Sequence, residues 1–65
     1  MRHTLEVVGG DIHEFDVAGE TYGDLLEAIG VRPHEVAVLV DGTPVPEDHT
    51  VEAEHARVVR MIKGG

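Results

Sequence analysis

The run Val36-Ala37-Val38-Leu39-Val40-Asp41-Gly42-Thr43-Pro44-Val45-Pro46 decides how this chain folds. Its first five residues are continuously apolar, the pattern of a strand buried on one face and sticky on the other. Asp41-Gly42 is a strong hairpin-turn signal. Thr43 to Pro46 returns as a short edge strand, since its two prolines donate no ladder hydrogen bonds. Strand parity turns Val38 and Val40 toward a core and leaves Leu39 facing out.

Upstream, His3, Leu5 and Val7 alternate with Thr4, Glu6 and Val8, a half-buried strand. Gly9-Gly10-Asp11 marks a turn, and Ile12 to Val17 alternates again, which makes a hairpin. Thr21-Tyr22-Gly23-Asp24 opens a helix, with Thr21 as cap and Asp24 imitating a capping box. Tyr22, Leu25, Leu26 and Ile29 form one apolar stripe, and Gly30 ends the helix. Pro33-His34-Glu35 restarts the chain as a short turn, Glu47 to Thr50 is turn-like, and Ala56 to Ile62 is the last strand. The order is strand, strand, helix, strand, short strand, strand. One helix across a mixed sheet of four to five strands is an α+β arrangement. Parallel pairing of the first and last strands would bury Leu5, Val7 and Val58 beneath the helix stripe.

At 65 residues the chain makes one domain. Such a domain buries about 60% of its unfolded surface, too little for a core and a deep catalytic pocket together. Cysteine is absent, which excludes disulfides and thiolate metal sites. No signal-peptide core and no membrane-length apolar run is present, so a soluble, cytoplasmic protein is expected. Thirteen acids against five bases give a net charge of -8, which disfavours nucleic acid and anionic membrane as direct partners. A solvated surface explains that charge; adaptation to high salt is the second reading.

The chain offers little for catalysis. His3, His13, His34, His49 and His55 lack helical i, i+4 spacing, so surface or core-edge histidines are expected and no metal site. Glu52 and Glu54 read as solvated charges. No phosphate-binding loop, dinucleotide fingerprint or nucleophile elbow occurs. The protein is expected not to be an enzyme and to hold no cofactor of its own. Leu39, Val59 and Met61 are candidates for an exposed apolar patch that meets a partner.

The sequence closes on Met61-Ile62-Lys63-Gly64-Gly65. Residues 1–63 are expected to form the domain and 64–65 a flexible diglycine tail. Glycine has no Cβ, so such a tail can thread a narrow channel and carry its carboxylate into another protein's active site. A frayed terminus is the bland alternative. Lys63 reads first as a cation that docks the tail and second as a site of chain formation.

Together these features resemble the β-grasp fold of ubiquitin-like modifiers and sulfur carriers. The order of elements, the 36–42 hairpin, the Pro44-Val45-Pro46-Glu47-Asp48 edge and the strand running into Gly64-Gly65 carry the resemblance, which spans essentially the whole chain. Within that family the chain is most similar to the small archaeal modifier proteins.

The resemblance implies a mechanism. A ubiquitin-activating-type enzyme would use ATP and magnesium to adenylate Gly65, with Gly64 keeping the approach narrow. A target lysine would then attack to give an isopeptide bond, or sulfur transfer would give a thiocarboxylate. The implied partners are the activating enzyme, lysines of target proteins and, for the sulfur route, sulfurtransferases. A dedicated sulfur carrier for tRNA thiolation or for molybdopterin or thiamine synthesis is the alternative. A β-grasp interaction module that is never conjugated is the third reading.

Overall fold

The structure is a computed structural model that describes residues 1–61. The expected end of the last strand at Ile62, together with Lys63, Gly64 and Gly65, lies outside the described residues. Five strands and one α-helix run in the order β1 (Arg2–Val7), β2 (Ile12–Asp16), α1 (Tyr22–Ala28), a 3-10 turn (Pro33–Glu35), β3 (Val36–Val40), β4 (Thr43–Val45) and β5 (His55–Arg60). They form a single mixed sheet ordered β2-β1-β5-β3-β4.

The hairpin read first is present. Val40 pairs with Thr43 across Asp41-Gly42, whose φ angles are 51° and 78°. Two successive left-handed residues define a turn whose twist matches the flanking strands. Glycine takes that conformation without the penalty that a Cβ imposes. β4 is three residues long and lies at the sheet edge, with Pro44 inside it and Pro46 just beyond its end.

β1 and β5 are parallel neighbours, with Leu5 beside Ala56 and Val7 beside Val58. β3 joins β5 from the other side, antiparallel, with Val38 opposite Val58. Leu5 and Val58 are therefore fully enclosed, and Leu25 and Leu26 of α1 belong to the same core. Ile29, the last member of the expected stripe, is half-buried at its edge.

Helix α1 has seven residues and depends on its start and its packing. Thr21 Oγ1 accepts the Asp24 N–H at 3.2 Å, and Asp24 Oδ2 accepts the Thr21 N–H at 2.9 Å. This reciprocal capping box contributes about 1 kcal/mol. The 46–54 loop is stitched to the same helix start. Tyr22 N–H donates to His49 O at 3.1 Å, and Gly23 N–H donates to Glu47 O at 2.7 Å. A Cβ at Gly23 would lie 3.2 Å from that carbonyl, so glycine permits the close approach.

His3 departs from expectation. It is completely buried rather than at the surface or the core edge. Its register opposite Phe15 sets it on the inner face, edge-on to the Tyr22 ring at 5.8 Å. Nδ1 donates to Ala53 O at 2.6 Å, because a carbonyl can only accept. Nε2 finds no partner among the described residues. Val51 is also core, 4% exposed, although the polar residues before it read as a plain turn. Its N–H donates to Glu20 O, which draws the loop inward.

Tyr22 stacks on His49 at 6.3 Å and is 1% exposed. Burial pushes its phenol above the usual value of 10.0, with Glu52 adding to the shift. The folded state keeps that proton at a pH where the unfolded chain has released it. The stabilisation is thus complete below the unfolded value and is lost as pH rises through the folded one. As pH climbs past 10, urea titrations should show the natural chain losing stability relative to Tyr22→Phe, because phenylalanine has no proton to lose. Parallel curves over that range would contradict this assignment.

Candidate functional site

The two faces of the sheet differ. α1 covers one; on the other, no element lies over the strands among the described residues. Side chains from all five strands make up this outer face. Leu39 lies there, opposite Arg57 of β5 and Pro44 of β4. Val59 lies there too, opposite Ala37. Leu39 and Val59 are thus diagonal neighbours, within side-chain reach across an antiparallel pair. Both are half-buried, as is Ala37 between them. Val8, 45% exposed, donates its N–H to Val58 O at 2.9 Å and so comes alongside Val59.

The structure brings Leu39 and Val59 together and adds Ala37 and Val8. Sequence reasoning missed both, since lateral neighbours depend on register and are invisible along one strand. Met61 follows the end of β5 and is 52% exposed. It lines a cleft at that end of the sheet. Gly64, Gly65 and Lys63 lie outside the described residues.

A charged strip crosses the outer face below the apolar group. Glu6 stands beside Arg57, with 3.6 Å between Oε2 and Nη2, and His55 Nε2 lies 3.5 Å from Glu6 Oε1. Exposed pairs of this kind contribute at most about 1 kcal/mol to stability, so their effect is to mark the rim of the patch. Toward the other edge, Arg2 Nε donates to Glu14 Oε1 at 2.9 Å.

The remaining candidates disperse. His34, His49 and His55 are exposed, each near a single glutamate. His13 is half-buried opposite Leu5. Among the described residues no three metal-binding side chains converge. Glu52 and Glu54 are both exposed. No helix among the described residues is long and apolar enough to cross a membrane. The arrangement can present a surface, and its His–Glu pairs among the described residues lie apart from one another on the exterior.

Comparison with known proteins narrows this further. Residues 1–62 match the family described as small archaeal modifier protein 2. The chain is 53% identical, over the whole of both sequences, to Small archaeal modifier protein 2 of Haloferax volcanii. It is 39% identical, again over the whole of both, to an uncharacterised protein of Archaeoglobus fulgidus. The crystal structure of the H. volcanii protein superposes with a TM-score of 0.70 at 52% identity, covering 97% of each chain. With its five-stranded mixed sheet and single crossing helix, a ubiquitin-like β-grasp of the α+β class, the chain belongs to the small archaeal modifier protein 2 family.

Proposed function

We propose that this chain is a ubiquitin-like protein modifier activated at Gly65. In this reading a ubiquitin-activating-type enzyme binds ATP and magnesium, and a Gly65 carboxylate oxygen attacks the α-phosphorus. Pyrophosphate leaves and an acyl adenylate forms. The amine of a target lysine then attacks the acyl carbon. AMP departs with the electron pair of the broken C–O bond, the nitrogen loses a proton, and an isopeptide bond results. Attack by hydrosulfide on the same carbon, with AMP again departing with the electron pair of the C–O bond and the sulfur losing its proton, gives the thiocarboxylate, so one end group serves both fates.

The observation that carries this reading is full-length membership of a modifier family by a chain ending in Gly64-Gly65. The chemistry agrees with it. A terminal carboxylate is ionised at neutral pH, and so is a competent nucleophile toward phosphorus and a poor acyl donor. Adenylation supplies the leaving group, and the partner supplies the positioning. The test is incubation with the host's activating-type enzyme, ATP and magnesium, followed by mass spectrometry. An adenylate is expected, and in cell lysate the tail remnant on lysines of other proteins. One sulfur in place of one oxygen at the terminus, without lysine remnants, would favour a dedicated sulfur carrier. Neither product, with an active enzyme present, would leave an interaction module.

The apolar group on the outer face is the surface we assign to the partner. It stands at the end of β5 from which the chain runs on to residues 62–65, so a protein gripping that end meets it. Leu39→Glu and Val59→Glu place charge where apolar contact forms. We expect KM for the modifier to rise tenfold or more, about 1.4 kcal/mol of lost binding, with kcat held. Circular dichroism should show the fold intact in both. Unchanged KM in both would remove this face from the encounter.

A further inference from the structure

We propose that the cleft beside the end of β5 is a second docking site, which takes a partner segment carrying a carboxylate next to a bulky apolar side chain. The cleft holds about 600 Å³ and is formed by three separate segments. Gly30, Val31 and Arg32 come from the exit of α1, His34 to Val36 from the 3-10 turn and the start of β3, and Arg60 and Met61 from β5. Buried Val36, half-buried Val31 and the Met61 side chain give it apolar walls.

Its charge is opposite to that of the molecule. The protein carries a net charge of -8. Two of its four arginines, Arg32 and Arg60, line the cleft together with His34, and among the described residues Glu35 is the one acid in the lining. Arg32 Nη1 lies 3.6 Å from Glu35 Oε2 and His34 Nε2 lies 4.0 Å from it, which uses that acid. Arg60 forms no ion pair among the described residues. Arg2 and Arg57, by contrast, are paired with Glu14 and Glu6. A guanidinium prefers a carboxylate in its fork, and here the arginines share the cleft lining with the apolar side chains of Val31, Val36 and Met61. An acidic residue alone would satisfy only the arginines, and an apolar residue alone only the apolar lining.

The location suits a protein partner. Met61 N–H donates to Glu35 O at 2.9 Å, so one wall of the cleft is tied to the strand that leads into residues 62–65. Arg32 and His34 are largely exposed, a rim that can close on an extended segment rather than a preformed small-molecule cage.

The test uses the full chain labelled with nitrogen-15, at low salt, titrated with a blocked four-residue peptide of alternating glutamate and leucine. Amide shifts should concentrate at Val31, Arg32, His34, Glu35, Val36, Arg60 and Met61. The matching lysine–leucine peptide should bind at least tenfold more weakly. Arg60→Glu should weaken the glutamate peptide tenfold or more, and Arg32→Gln should do the same if the first variant loses spectral dispersion. Shifts centred on Ala37, Leu39 and Val59, or no saturable shifts, would overturn the proposal. So would equal shifts from acetate at the same carboxylate concentration, which would mean an isolated anion contact. A tenfold gain in affinity on removing Gly64-Gly65 would identify the chain's own terminus as the occupant and overturn it as well.

Discussion

Removing Gly64 and Gly65 should abolish ATP–pyrophosphate exchange by the activating-type enzyme while leaving the melting temperature unchanged within about 2 °C. The truncated chain still ends in an α-carboxylate, now on Lys63. That carboxylate sits two residues closer to the body, a reach shortened by about 7 Å. Misplacing a reacting group by 1 Å already costs about a hundredfold, so the deficit leaves nothing to detect. Gly64→Val tests the same channel more gently. A branched Cβ is added where the walls should close, and a loss of about a hundredfold is expected. Stability should not follow, because the core formed by the described residues, from His3 to Val58, already encloses Leu5, Leu26 and Val58. In a domain this small 1 kcal/mol moves the midpoint by about 4–8 °C, so a structural role would be plain. A fall of more than about 5 °C would make the tail part of the fold. Exchange that survives truncation would mean that another group is acylated.

Most of the architecture could be read from residue order. The alternation of His3, Leu5 and Val7 has the period of a strand with one buried face, and that face is buried. Asp41-Gly42 marked its own hairpin turn. Pro44 and Pro46, in β4 and just after it, named an edge. In each case the deciding physics is local: a torsion, a missing donor, a two-residue period. Local cues also placed the capping box, since Thr21 and Asp24 are three residues apart and meet at the helix start.

Features that depend on distant segments were not legible. Val51 is core because Thr21 and Thr50 form a bridge that pulls a polar loop across the helix start. His3 is enclosed because Tyr22 and Ala53 close over it from segments far along the chain. Ala37 and Val8 join Leu39 and Val59 through the register of β3 and β1 against β5. The cleft requires residues 30–36 and 60–61 at once, and neither stretch hints at the other. A chain read one residue at a time yields its strands readily and its surfaces poorly.

Leu5→Ala is expected to be the most damaging single truncation of the body. Leu5 is 0% exposed and sits in β1, with β2 on one side and β5 on the other. Its partners in register are His13 and Ala56, the second of them small and buried. Alanine at position 5 would therefore set one short side chain beside another, and the sheet cannot collapse to fill the gap without breaking ladder hydrogen bonds. Such substitutions cost about 2.7–5 kcal/mol. A chain of this length holds in total about 3–10 kcal/mol, at the usual 0.05–0.15 kcal/mol per residue. The variant should thus lose a large share of its stability and melt at least about 10 °C lower. Its urea midpoint should fall with little change in slope, since the surface exposed on unfolding is nearly the same. Ile12→Ala is the matched control. Ile12 is an aliphatic residue on the neighbouring strand, yet it is 63% exposed on the outer face, and its loss should stay within about 0.5 kcal/mol. If the two variants melted together, the inner face of β1 would not be the source of stability, and the division of the sheet into a core face and a docking face would fail with it.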